Sequence, residues 1–219
     1  MALTKYNYNS FDVTPVASKA LAFNSDADGL TTAAGGNMVL IKEVTASSDA
    51  NISFAHGTSD VVLDSTYPIY VFEYINVHPQ TDAQNFQVNF RDGSTAYDAT
   101  KTTATVNTQH SEGGAGGEVV YHASWDVAES TAIAVLAEGT GNGNDECVSG
   151  KLTLFNPSST TFVTHFISQT NNYYYSDYFM SWFVTGYCNV TAAIDGVQFT
   201  FSSGNIDAGT FKLYGIKDS

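Results

Sequence analysis

The side chains with chemical capacity are thinly spread along this chain. Its histidines, His56, His78, His110, His122 and His165, stand apart with no HxH, HExxH or Cys/His spacing, so they name no metal constellation. His56 and His78 fall at expected strand ends, where an imidazole makes a local hydrogen bond. Cys147 and Cys188 are the only thiols. They lie far apart with no ligand pattern, and in a reducing cytoplasm they are expected to stay free, a disulfide being open to them only outside the cell. Asn24-Ser25-Asp26-Ala27-Asp28-Gly29 has oxygen donors at alternate positions and a glycine, the first half of a calcium-loop pattern. Gly35 stands where the bidentate glutamate belongs, so a surface turn is expected instead. The loop over residues 139–145 has a glycine–aspartate rhythm once only, where such calcium sites need stacked copies, and reads as a plain turn loop. There is no Gly-x-Ser-x-Gly elbow. Glu73, Glu118, Asp126 and Glu129 are the carboxylates that a β-scaffold would have to bring face to face for glycoside hydrolysis, and spacing does not say that any two converge. With 22 acidic residues, solvated charge is the expectation, and the chain reads as non-enzymatic, without cofactor or metal.

The run Tyr173-Tyr174-Tyr175, with Tyr178 and Trp182, carries more. Adjacent tyrosines on a strand point to opposite faces and cannot all enter one core. Tyrosine offers a large contact area at low entropic cost and is enriched in interfaces and sugar-stacking surfaces. Tyr173, Tyr174, Tyr175, Tyr178 and Trp182 are therefore the candidate partner-contact residues. A subunit contact and a sheet packed on both sides within one protomer both remain open, with glycan or receptor binding as a third reading.

The elements that must position these residues are strands. Over residues 191–216, Val197, Phe199 and Phe201 alternate with Gln198, Thr200 and Ser202. Ser203-Gly204-Asn205 breaks the pattern, and Phe211 and Leu213 resume it against Lys212 and Tyr214, which predicts a closing hairpin. Upstream, MVLIKEV over residues 38–44 predicts a strand, residues 52–54 and 61–63 two short ones, and YPIYVFEYINV over 67–77 a central strand. Phe86, Val88 and Phe90 alternate, and Asp92-Gly93 directly after them predicts a hairpin with its return from Tyr97 through Val106. SEGGAGGE over 111–118 reads as a surface loop before a short strand over 118–122, and residues 126–136 are the one place for a helical turn. Residues 151–155 and 161–167 form a second hairpin about Asn156-Pro157-Ser158-Ser159. About nine or ten strands at spacings of roughly eight to twelve residues predict an all-β fold, an antiparallel β-sandwich that is jelly-roll-like. Residues 1–30, with scattered aromatics and no period, read as an irregular N-terminal arm, and 31–219 as a single sandwich domain.

Composition narrows the partners. Eight basic against 22 acidic residues give a formal charge of -14, which speaks against a phosphate-backbone partner. The N-terminus lacks the apolar core of a signal peptide and no apolar run is long enough to span a bilayer, so neither export by that route nor a membrane is expected. Charged residues are only 14% of the chain, and Tyr, Phe, Thr, Ser, Asn and Gly take their place, as happens where β-proteins assemble with one another.

Three segments, TYPIYVFEYINVHPQTD (66–82), LTLFNPSSTTFVTHF (152–166) and FSSGNIDAGTFKLYGI (201–216), together resemble a family of β-rich virion-associated proteins of tailed bacteriophages, many of them marine. The similarity spans most of the chain and is most specific in GNIDAGTFKLYGI. It implies a particle component, made in the host cytoplasm and located in the virion, with no catalytic residues to carry over. The expectation is a capsid cement or decoration protein that assembles as a homotrimer and contacts the major capsid protein or another virion protein, the arm ordering on its neighbour. The alternative is a receptor-binding module of a tail or head fibre.

Overall fold

Alternation in the sequence becomes one-sided burial in the folded strands. In the computed structural model, β5 (Ile69–Pro79) buries Tyr70, Phe72 and Tyr74 completely and turns Val71 and Glu73 outward, because successive strand residues point to opposite faces. The structure describes residues 21–23, 30–32, 36–114 and 116–218. Most of the expected arm, with the donors of Asn24–Gly29 and with Gly35, lies outside the described residues. The chain divides after Met38 into two compact units. In the first, β1 (Leu21–Phe23) and β2 (Leu30–Thr32) pair antiparallel, a regular element where an irregular lead-in is expected.

Beyond these lie β3 (Met38–Thr45), β4 (Ile52–Ala55), β6 (Gln84–Arg91), β7 (Lys101–Ser111), β8 (Glu118–Tyr121), β9 (Ala134–Thr140), β10 (Val148–Phe155), β11 (Thr164–Tyr174), β12 (Tyr178–Cys188), β13 (Gly196–Phe201) and β14 (Ile206–Ile216). They form two antiparallel layers. The larger runs β3-β14-β5-β10-β11-β12-β7-β8 and the smaller β9-β6-β13-β4, joined by the single pair Tyr174 and Thr140. Taken along the chain, β3, β4, β5 and β6 alternate between the layers, β9 stays beside β6, and β10, β13 and β14 alternate again, so that β3-β14-β5-β10 faces β4-β13-β6-β9 as in a jelly roll. The other strands, β7–β8 and β11–β12, are two hairpin excursions that extend the larger layer past β10. The segments TYPIYVFEYINVHPQTD, LTLFNPSSTTFVTHF and FSSGNIDAGTFKLYGI supply β5, β10–β11 and β14, which are consecutive neighbours in that layer.

The layers are held together by interdigitated rings. Phe199 of β13 lies 5.9 Å from Phe72 and 5.5 Å from Phe211 of the opposite layer, and Tyr74 meets Phe86 at 5.0 Å between ring centres. Under the extension the filling turns polar. Ser168 and Thr170 bond each other and the Tyr74 hydroxyl, and burial pushes that phenol up to about 12. Lys101 is wholly buried, its Nζ donating to the carbonyls of Ala99 (3.0 Å) and Ala132 (2.7 Å), and burial pulls its pKa down to about 8.

Several expected elements differ. β13 and β14 form no hairpin: β13 pairs β4 and β6, β14 pairs β3 and β5, and the turn at Ser203–Asn205 carries the chain from one layer to the other. Asp92-Gly93 likewise starts a crossing to β7, since β6 pairs β13 and β9. A turn signal specifies reversal of direction and says nothing of which strand becomes the neighbour. Residues 61–63 are not a strand, although Val61 and Leu63 are buried core. The predicted helical turn over 126–136 is absent. A short 3-10 turn, Ala123–Trp125, precedes it, residues 134–136 open β9, and the stretch between runs extended beside β7, bonded through Thr103 to Val127 and through Lys101 to Ser130. That strap covers the part of the β7 edge that the four-residue β8 leaves open.

Candidate functional site

β11 and β12 form a long hairpin because both alternate and both are rich in aromatic and β-branched residues, with Tyr175-Ser176-Asp177 as the turn and Asp177 in the left-handed region. The tyrosine run sits at this turn, and its members part company. Tyr173 is half-buried, its hydroxyl held between Glu112 (3.2 Å) and Asp177 (3.1 Å), and partial burial and the two carboxylates raise its pKa. Tyr174 is half-buried and packs on the core. Its ring lies over Gly139, whose positive φ of 57° and lack of a side chain let the two approach. Tyr178 is half-buried edge-on to Tyr174, at 6.4 Å, and only Tyr175 of the tyrosine run is well exposed.

Trp182, expected at a partner contact, is 0% exposed. Its indole N–H donates to Asn172 Oδ1 at 2.9 Å, Asn172 Nδ2 donates to the Glu138 carbonyl at 2.9 Å, and the His122 ring lies 4.9 Å away. The correction follows from parity. Met180, Trp182 and Val184 share the inner face of β12, so Phe179 and Phe183 must share the outer one. Phe179 is 52% exposed and Phe183 48%, joined by Ile167 of β11 and by Val119 and Tyr121 of β8. Register places Phe183 beside Val106 and Gln169, with Tyr121 beyond Val106, and Phe179 beside His110 and Tyr173. The sequence signal for this face is the stretch YFMSWFVTGY, apolar at both parities, which cannot be satisfied by a single core.

This outer face carries no Asp, Glu, Lys or Arg on β7, β11 or β12, in a chain with 30 such residues. Charge stands at its rim: Glu112 and Asp177 accept from the Tyr173 hydroxyl at the turn end, Asp126 from the Tyr121 hydroxyl at the β8 edge, and past β11 lie Lys151 of β10, Glu73 of β5 and Lys212 of β14, the last paired with Glu43 at 3.2 Å. At one end Ala104, Phe155, His165, Ile167, Thr185 and Tyr187 line a shallow depression of ≈ 420 Å³. The face is able to bury rings against an uncharged, largely apolar surface.

The other candidates are held singly. Among the described residues, no three His, Cys, Asp or Glu side chains gather as a metal set would. Glu118 accepts from Gln109, Asp126 from the Thr105 amide and the Tyr121 hydroxyl, and Glu129 from Asn189, while Glu73 lies in register between Lys151 and Lys212. Cys188 is buried, its thiol pushed up to about 12 by burial, and Cys147 is half-buried; both are free. His56 Nδ1 meets the Leu63 amide at 3.2 Å. His78 joins three parts of the chain: Nδ1 lies 2.7 Å from Asp207 Oδ1 of β14, and Nε2 3.0 Å from the Gly143 carbonyl in the 139–145 loop. Directly after that loop Glu146 turns back and accepts from the Gly143 amide, consistent with a turn loop. No family model, curated protein or solved structure matches this chain.

Proposed function

We propose that this chain is a non-catalytic structural protein of a tailed-bacteriophage particle, a capsid decoration protein whose mechanism is association. The observation that carries the reading is the uncharged aromatic outer face of β7, β8, β11 and β12, built on strands added to a jelly roll. Large apolar patches on a soluble surface mark contact sites, because each exposed ring forgoes burial worth about 25 cal/mol per Å² of apolar area. The resemblance of the segments in β5, β10–β11 and β14 supports a particle component, and its partners are copies of itself and the major capsid protein or another virion protein. Rigid sheet faces meet with little loss of conformational entropy, which suits a protein that reinforces a shell.

The test is a reconstruction of the intact particle at a resolution that traces this chain. Density at many equivalent positions on the shell is the expected result. Density confined to the tail or to fibre tips would overturn the decoration role. It would favour a receptor-binding module instead, for which the same rings, Tyr121, Phe179 and Phe183, offer a sugar-stacking surface.

A further inference from the structure

The partner of the uncharged face follows from its charge, its size and its symmetry. Resting on the associative reading above, we infer that it is a two-fold contact between two copies of this chain, in place of the expected homotrimer.

Charge restricts where copies can meet. Each carries a formal charge of -14, so two copies repel over most of their surfaces, and the repulsion is least where neither presents a carboxylate. The outward side chains of β7, β11 and β12 are such a region, the carboxylates of Glu112, Asp177 and Asp126 lying at its rim, where they accept from the Tyr173 and Tyr121 hydroxyls. A basic partner would be met by acidic side chains across the face, and here they stand only at its rim. An uncharged apolar surface fits it, and its own copy is one.

Size supports the same partner. β7, β11 and β12 are each 11 residues long. At about 3.3 Å per residue and about 4.8 Å between strands, these three make a face of roughly 36 by 14 Å, and the four residues of β8 bring it to on the order of 600 Å². A stable specific interface buries about 800 Å² per partner, so one such face supplies roughly three quarters of it. Phe179, Phe183 and Ile167 stand on it, and β12 runs along its middle, flanked by β11 and β7.

Symmetry sets the number. A single patch that contacts itself forms an isologous interface and closes at two, whereas a ring of three needs a second, different patch to receive the first. Two sheets meeting this way pack about 10 Å apart with their rings interleaved.

The experiment uses the full chain, in sedimentation velocity and light scattering across the micromolar range. The expected species has twice the 23.5 kDa chain mass. Phe183→Asp, and independently Gln169→Asp, which removes no apolar group and adds a like charge beside Phe183, should each weaken the dimer at least about 100-fold while far-UV circular dichroism stays unchanged. Ile75→Asp, on an exposed position of the same layer outside the patch, should leave it intact. A monomer throughout, a closed trimer, or a dimer indifferent to both charged variants would overturn the inference. A monomer that loses binding on a glycan array through Phe183→Asp would overturn it in favour of sugar stacking. A dimer absent from purified particles would sink the virion role and leave the contact standing, and a monomer that still decorates particles would do the reverse.

Discussion

At His78 the partners dictate the protonation state. Both facing atoms, a carboxylate oxygen of Asp207 and the Gly143 carbonyl, are acceptors without a proton, so both ring nitrogens are satisfied only as donors, in the imidazolium. Burial pulls its pKa down, but the hydrogen bonds to Asp207 and Gly143 and the Asp207 charge outweigh this and raise it above the ordinary 6.5. Asp145, Glu146 and Cys147 line the same depression. A raised folded-state pKa contributes stability that is fully present below 6.5 and lost as pH rises through the folded value. The urea midpoint of the wild type should therefore exceed that of His78→Gln most below that pH, and the gap should close at alkaline pH. A gap that stays constant, or widens with pH, would show that the imidazolium does not hold the site. Trp182 makes a second residue-level case. Trp182→Phe keeps most of the packing but orphans Asn172 Oδ1, at a cost of about 1–3 kcal/mol in denaturant titration. A loss near zero would place a water on Asn172.

Between elements, the joint that matters is ring against ring. Phe199 of β13 touches Phe72, Tyr74 and Phe211 across the core and Phe86 beside it, so Phe199→Ala removes the hub between the layers. It should cost about 3–5 kcal/mol in thermal or urea unfolding. Tyr74→Phe should cost much less, about 1 kcal/mol, because Ser168 and Thr170 still bond each other at 3.1 Å when the hydroxyl is gone. If the two variants lost equal stability, the polar filling beneath the extension would be as important to the layers as the aromatic one. The extension itself rests on hairpins. β7–β8 and β11–β12 each return directly on themselves, which adds area to one layer without disturbing the order of the jelly-roll strands.

For the whole molecule, a strongly acidic protein that meets its copy through an uncharged face has an unusual salt response. Added salt screens the mutual repulsion of two -14 chains and removes no ion pair from the contact. Dimerisation should tighten as ionic strength rises, the reverse of an electrostatically steered complex, and sedimentation equilibrium at low and high sodium chloride reads it directly. Weakening with salt would mean that charges outside this face make the contact.

The sequence by itself determined the layered β-architecture and most of its core, because period-two alternation at Tyr70, Phe72 and Tyr74 or at Val197, Phe199 and Phe201 is a local property that burial then obeys. It also exposed the conflict in residues 173–182, where adjacent aromatics cannot share one core. Only the tertiary structure decided how that conflict resolves. It buried Trp182, left Phe179 and Phe183 outside, and gathered Ile167, Val119 and Tyr121 around them from two other strands. It also decided that β13 and β14 face each other across the core instead of pairing. Which strands become neighbours depends on contacts far apart in the chain, and turn chemistry carries no information about them.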